Sequence, residues 1–158
     1  MRIREFSTAL WLPLPPEALF PFFADASNLE AITPPWLHFR IMTPLPIVMK
    51  EGTLIDYRLQ VRGIPLRWRT RIKAWQPPNY FVDEQLRGPY RKWIHEHKFE
   101  LCNGGTMVRD IVHYALHFDW LVHRLFVRPD IERIFNFRAD ALRRRFLPQG
   151  LPVDEHGK

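Results

Sequence analysis

Residues 53–73 read TLIDYRLQVRGIPLRWRTRIK and contain the clearest structural signal in the chain. Apolar and polar side chains alternate on both sides of Gly63, and every second position from Arg67 to Lys73 is basic. This period of two is typical of β-strands that bury one face, and the glycine marks a tight turn between two of them. The alternation predicts these inward side chains: Ile55, Tyr57, Leu59, Val61, Leu66, Trp68, Thr70 and Ile72.

The flanking sequence predicts more strands and a change of period at the end. Strands are expected over five further segments: residues 2–12, 37–43, 80–87, 90–101 and 106–117. Two short helices are expected after the first strand. From Asp130 onward, apolar residues recur every three or four positions, which predicts an amphipathic helix of about four turns. We therefore expect an α+β fold, a curved antiparallel sheet of six or seven strands wrapped around a long C-terminal helix. It forms one domain over residues 1–147, followed by a flexible tail over 148–158.

Composition excludes several classes of protein. The chain has 158 residues, of which 46% are hydrophobic and 14% aromatic, so it is too apolar for a disordered chain and large enough to enclose a core. Its net charge of +6 is interpreted as an arginine-rich exterior, because the charges alternate with apolar residues and form no blocks. Cys102 is the only cysteine, and residues 1–6 lack the apolar run of a signal peptide. We expect a cytoplasmic location.

Strand parity also places polar side chains on the covered face. Both parities are open in residues 80–86, and we take Asp83 as inward because Glu84 then faces the arginine row of the preceding strand. The predicted cavity wall has ten members: Tyr57, Trp68, Thr70, Asp83, Gln85, Trp93, His95, His97, Asp110 and Tyr114. Buried polar groups need partners, which a ligand with polar atoms would supply. The alternative is a satisfied network, such as His97 bonded to Asp110, that only orients the sheet.

Two kinds of chemistry fit these side chains. His95 and His97 point to the same side of a strand, and with Asp110 or Asp83 they would suit zinc or non-haem iron. The spacing of the two histidines is weak evidence for a metal site, and no third histidine clearly faces inward. His97 paired with Asp110 would suit acid–base catalysis in a dry cavity, and these two are the candidate catalytic residues. No phosphate loop, dinucleotide motif or nucleophile elbow occurs. We expect no metal and no other cofactor.

Residues 120–127 (WLVHRLFV) place basic residues beside large apolar ones. This pattern is compatible with a transient membrane contact, but such a segment more often packs as a lid or core helix, and we prefer the lid. Nucleic acid is not expected as a partner, because the outward arginines have no aromatic row beside them for base stacking. Protein partners are not indicated by the sequence.

Four segments resemble a known superfamily. They are residues 28–41 (NLEAITPPWLHFRI), 52–72 (GTLIDYRLQVRGIPLRWRTRI), 81–100 (FVDEQLRGPYRKWIHEHKFE) and 107–116 (MVRDIVHYAL). With the terminal helix, they resemble the START/SRPBCC superfamily of polyketide cyclases, Bet v 1-like proteins and lipid-transfer domains, and above all its bacterial ligand-binding members. The resemblance implies a helix-grip fold whose cavity binds lipids, quinones, polyketides or similar apolar molecules. It implies no reaction, because a fold does not fix a function.

Three functional hypotheses follow. The leading one is binding or transport of a small hydrophobic ligand, with apolar walls at Trp68, Trp93 and Tyr114. The polar end of the ligand would be fixed by Asp83, Gln85, His95, His97 and Asp110. The second is a cyclase or dehydratase that uses His97 and Asp110 as an acid–base pair. The third is a regulatory module that binds a protein partner through its basic surface.

Overall fold

The structure, a computed structural model, describes residues 1–117 and 123–148. These ranges contain seven strands: β1 (Arg4–Leu12), β2 (Arg40–Ile41), β3 (Leu54–Val61), β4 (Ile64–Gln76), β5 (Tyr80–Arg87), β6 (Lys92–Cys102) and β7 (Gly105–Ala115). All neighbours are antiparallel, and the order is β1-β7-β6-β5-β4-β3-β2. Strands β3 to β7 follow one another through short turns, while β1 returns to pair with β7. The predicted antiparallel sheet of six or seven strands is confirmed.

The helices lie where the change of period predicted them. The helix α1 (Pro16–Ala24) begins at Pro16, whose fixed φ suits a first helical turn. A 3₁₀ helix, Ala26–Ile32, follows, and the side chain of Asp25 caps it by accepting a hydrogen bond from the backbone N–H of Ser27. The long helix α2 (Arg128–Phe146) closes the described chain.

Two predicted boundaries are wrong. The strand expected over residues 37–43 is reduced to β2, because Pro35 begins a 3₁₀ turn and His38 adopts a left-handed conformation with φ 46°. The long helix begins at Arg128, two residues before Asp130, because it continues directly from a π-helical turn over His123–Val127. Residues 118–122, part of the predicted lid, and 149–158, nearly all of the predicted tail, lie outside the described residues.

The larger of two buried clusters lies at one end of the sheet. There, α1 packs against β6 and β7 in a cluster that includes Leu19, Phe20, Phe99 and Leu142. Three aromatic rings of this cluster stand within about 6 Å of one another, centred on Phe20. Within residues 1–117 and 123–148, no helix is long and apolar enough to cross a membrane. Side chains at the edge of this cluster, among them Phe23 and Phe81, also border the cavity described below.

Candidate ligand cavity

A cavity of about 480 Å³ lies between the sheet and α2. This volume falls within the roughly 300–1,000 Å³ that is typical of small-molecule sites. The eight inward positions predicted from residues 53–73 all line it, and α2 contributes five more residues: Asp130, Ile131, Ile134, Phe135 and Arg138. The alternation of two strands thus builds most of one wall, and one face of the helix builds the opposite wall.

Seven of the ten predicted wall residues reach the cavity. They are Tyr57, Trp68, Thr70, Asp83, Trp93, His95 and His97. Trp68 and Trp93 meet edge to face with ring centroids 5.5 Å apart, which forms an aromatic surface. The Tyr57 hydroxyl lies 2.5 Å from Thr70 Oγ1, which also accepts a hydrogen bond of 3.1 Å from Trp68 Nε1. Burial raises the pKa of Tyr57, so this part of the wall is neutral and already hydrogen-bonded.

The other three residues face inward but do not line the cavity. Gln85 turns toward the β5–β6 connection, where its Nε2 donates to Tyr90 O at 2.7 Å and its Oε1 accepts from Tyr90 N at 3.2 Å. Tyr114 is buried, and its hydroxyl lies 2.8 Å from His123 Nε2. Asp110 lies behind the two histidines. Strand parity identifies the face of a side chain, but not the depth at which it ends.

A buried polar cluster lies on the cavity wall where β5, β6 and β7 are adjacent. His97 Nε2 lies 2.7 Å from Asp83 Oδ2, and His95 Nε2 lies 2.8 Å from Asp110 Oδ1. His97 Nδ1 approaches the same Asp110 oxygen to 3.1 Å, in a direction that makes an electrostatic contact but no hydrogen bond. The two imidazole rings are tilted by 34° to each other, with centroids 3.7 Å apart. Two histidines are therefore held between two carboxylates.

The pKa values of the two histidines are shifted in opposite directions because their surroundings differ. Burial lowers the pKa of His95, and the neighbouring charge of His97 lowers it further, so the attraction of Asp110 and Asp83 is outweighed. Burial acts against the charge of His97 as well, but its contacts with Asp110 and Asp83 prevail and raise its pKa. The cluster therefore favours a charged His97 beside a neutral His95.

The carboxylates stay ionised although they are buried. Burial alone would raise the pKa of Asp83, but the hydrogen bond from His97 and the nearby positive charges lower it. For Asp110, the charge of Arg138, the hydrogen bond from His95 and the contact with His97 overcome burial and hold its pKa well below the usual value. Two carboxylates thus face the Arg138 guanidinium and the His97 ring, whose pKa they raise.

Arg138 is the member of the cluster that the sequence interpretation missed. Its Nη2 lies 3.5 Å from Asp110 Oδ1, its side chain is 12% exposed, and its buried Nε has no hydrogen-bond partner among the described residues. A signal for it existed, because Arg138 follows Ile131 by seven residues and therefore falls on the apolar face of α2. Among several arginines in that helix, this one is turned inward.

A comparison with known protein families identifies the family of this chain. A family model described as "Polyketide cyclase / dehydrase and lipid transport" matches residues 12–143. The chain belongs to this family. Together with the cavity, membership supports a protein that binds a hydrophobic ligand or acts as a polyketide cyclase. Among curated proteins, no sequence matches the chain significantly.

Solved structures agree with the fold of this polyketide cyclase/dehydrase and lipid transport family member. The Zhui aromatase/cyclase from Streptomyces sp. R1128 is 15% identical, with a TM-score of 0.70 over 95% of this chain and 100% of that one. Ara h 8.0201 is 18% identical, with a TM-score of 0.66 over 92% and 99%. The protein TTHA0849 from Thermus thermophilus is 21% identical, with a TM-score of 0.59 over 89% and 92%. At these identities the likeness shows the fold, and the predicted helix-grip, Bet v 1-like architecture is confirmed.

Proposed function

We propose that the protein binds and carries a small apolar molecule that has a polar group at one end. The observation that supports this proposal is a cavity of about 480 Å³ whose walls are mainly aromatic and aliphatic, with one charged cluster at its side. Ligand sites typically combine apolar walls with a few placed polar groups. The family includes lipid transport in its description, which agrees with a carrier.

The polar group of the ligand would lie at Asp83, His95 and His97. These three side chains line the cavity and belong to its buried charged cluster, whereas the hydrogen-bonded Tyr57–Thr70 pair is neutral. Trp68 and Trp93 would contact the apolar body of the ligand, and their fluorescence would report its arrival. A cytoplasmic location and a transient membrane contact stay predictions.

Binding is tested first by native mass spectrometry of the purified protein and then by titration with an apolar fluorescent probe. Ile134→Trp would fill the space between α2 and the sheet, and we expect at least tenfold weaker probe binding. Val48→Trp is the matched control, because Val48 is 75% exposed and outside the cavity wall. Equal probe affinity for the native protein and Ile134→Trp would contradict the proposal.

The second candidate function is that of a cyclase or dehydratase in the same cavity. It is favoured by His97, which lies on the cavity wall within 3.1 Å of Asp110, and by the likeness to a solved aromatase/cyclase. His97→Gln separates the two functions. If His97→Gln loses turnover of a poly-β-keto substrate but still binds it, the result supports the enzyme function. If the native protein shows no turnover, the enzyme function is contradicted and only the carrier function stands.

A further inference from the structure

Three potential metal ligands converge on the cavity wall. Asp83 lies on β5 directly opposite His95 on β6, and His97 follows on the same face of β6. One donor atom from each of the three lies within 4.8 Å of the others. Asp83 Oδ2 is 2.7 Å from His97 Nε2 and 3.9 Å from His95 Nδ1. Ligands about 2.1 Å from a tetrahedral metal stand about 3.4 Å apart, so shifts below about 1 Å would bring these atoms to that spacing.

A second layer of residues holds the far sides of both imidazole rings. His95 Nε2 lies 2.8 Å and His97 Nδ1 3.1 Å from the same Asp110 oxygen. Metal-binding histidines almost always direct their other nitrogen to a carboxylate, a carbonyl or water, which fixes the ring toward the ion. Here Asp110 is hydrogen-bonded to the His95 ring and lies in electrostatic contact with the His97 ring, and Arg138 offsets its charge. The remaining ring nitrogens, His95 Nδ1 and His97 Nε2, are thereby turned toward Asp83.

The three ligands can be reached from the cavity and would not fill the coordination shell of an ion, unlike the four ligands of a closed structural metal centre. All three ligand residues line the cavity, so an ion placed among them keeps positions free for water or for an oxygen of the cavity's occupant. Two histidines and one carboxylate with open positions are a donor set for zinc or non-haem iron. The sequence spacing placed the two histidines on one face of β6 but left the carboxylate ligand open between Asp110 and Asp83. The pairing of β5 with β6 identifies Asp83 as the third ligand.

We propose that Asp83, His95 and His97 bind one divalent transition-metal ion on the cavity wall, with Asp110 as the residue that positions both histidines. The ion takes the place of the proton between His97 and Asp83 and satisfies the same two carboxylates. This site goes beyond ligand carriage. Because ion binding is measured without any organic molecule, the carrier proposal and the metal site fail or succeed separately.

The test uses the full chain stripped with EDTA and titrated with Co²⁺ alone, followed by visible absorption. The background is His113→Ala, because His113 lies near Glu5 and Glu96 on the outer face and offers a competing surface site. We expect one Co²⁺ per chain, with the intense absorption of a nitrogen-ligated, low-coordinate ion, and displacement by Zn²⁺. Asp83→Asn and His95→Gln should each weaken binding at least 100-fold, and Asp110→Asn about 10- to 100-fold.

Zn²⁺ should also raise the thermal midpoint of the His113→Ala protein, since a ligand that binds the native state stabilises it. This measurement needs no variant of the cluster and decides the matter if Asp83→Asn or His95→Gln fails to fold. Absorption that stays like that of hydrated Co²⁺, with no thermal shift, overturns the proposal. Binding that survives unchanged in folded Asp83→Asn overturns it as well.

Discussion

Asp110 illustrates how much depends on one side chain. The residue is 5% exposed. Its carboxylate lies 2.8 Å from His95, 3.1 Å from His97 and 3.5 Å from Arg138. His95 and His97 are buried and the Arg138 side chain is only 12% exposed, so the contacts to Asp110 are largely shielded from water. A buried charge is tolerated only while it is paired, and its removal leaves the partner uncompensated.

Asp110→Ala should therefore destabilise the fold by about 3–5 kcal/mol, because it leaves Arg138 without its counter-charge inside the protein. The matched control on the same strand pair is Glu100→Ala, which breaks an exposed pair with Arg109 and should cost about 0–1 kcal/mol. Urea unfolding at pH 7 in the presence of EDTA measures both. Equal losses would show that the cluster is not a buried charge network.

The shape of the β5–β6 turn depends on the side chain of Gln85. Gln85 forms two hydrogen bonds with the backbone of Tyr90, and the turn leads directly to Trp93 on the cavity wall. Gly88 has to be glycine because of Gln85. A Cβ at this position would overlap the Gln85 carboxamide, 2.6 Å from its Cδ. The glycine is thus required by a close approach and not by a left-handed φ.

Gly88→Ala should cost about 1–3 kcal/mol in the native protein, because the methyl group displaces Gln85 from Tyr90 and both hydrogen bonds are lost. In a Gln85→Ala background the same substitution should cost less than about 0.5 kcal/mol, since the obstacle is gone. Unfolding free energies of the four proteins complete the cycle. Additive costs would refute the proposed steric conflict.

The molecule combines a densely packed cluster around α1 with a cavity between the sheet and α2. Leu19 in α1 is fully buried in the aromatic cluster, while Leu59 on β3 is nearly as buried but faces the cavity. In densely packed regions a deleted side chain loses its transfer energy and leaves a new void. Next to an existing space, the same side chain has fewer contacts to lose.

Leu19→Ala should destabilise the protein by about 3–5 kcal/mol, and Leu59→Ala by about 1–2 kcal/mol, although the chemical change is identical. Denaturant unfolding checks this difference. Leu59→Ala should also admit bulkier probes in the binding titration, whereas Leu19→Ala should leave probe selectivity unchanged. A larger loss at Leu59 would mean that the space beside it is filled.

Much of this fold follows from the alternation of side chains along the strands. The period of two in residues 53–73 predicted both faces of β3 and β4, and the outward parity of Glu84 predicted its ion pair with Arg71. The period near 3.6 after Asp130 predicted α2. These patterns are local, because a strand or helix that buries one face must carry apolar residues at its own period. The boundaries near His38 were missed because the turn there depends on backbone angles that the apolar pattern does not report.

The sequence by itself determined the sheet, the covering helix and the set of side chains that face between them. Only the tertiary structure decided which of these ends at the cavity, which turns aside as Gln85 does, and which lies behind another as Asp110 does. It also added Arg138, 28 residues after Asp110 along the chain, to the charged cluster. Periodicity fixes a direction within one element, whereas distances between side chains depend on how the sheet curves and where α2 rests on it.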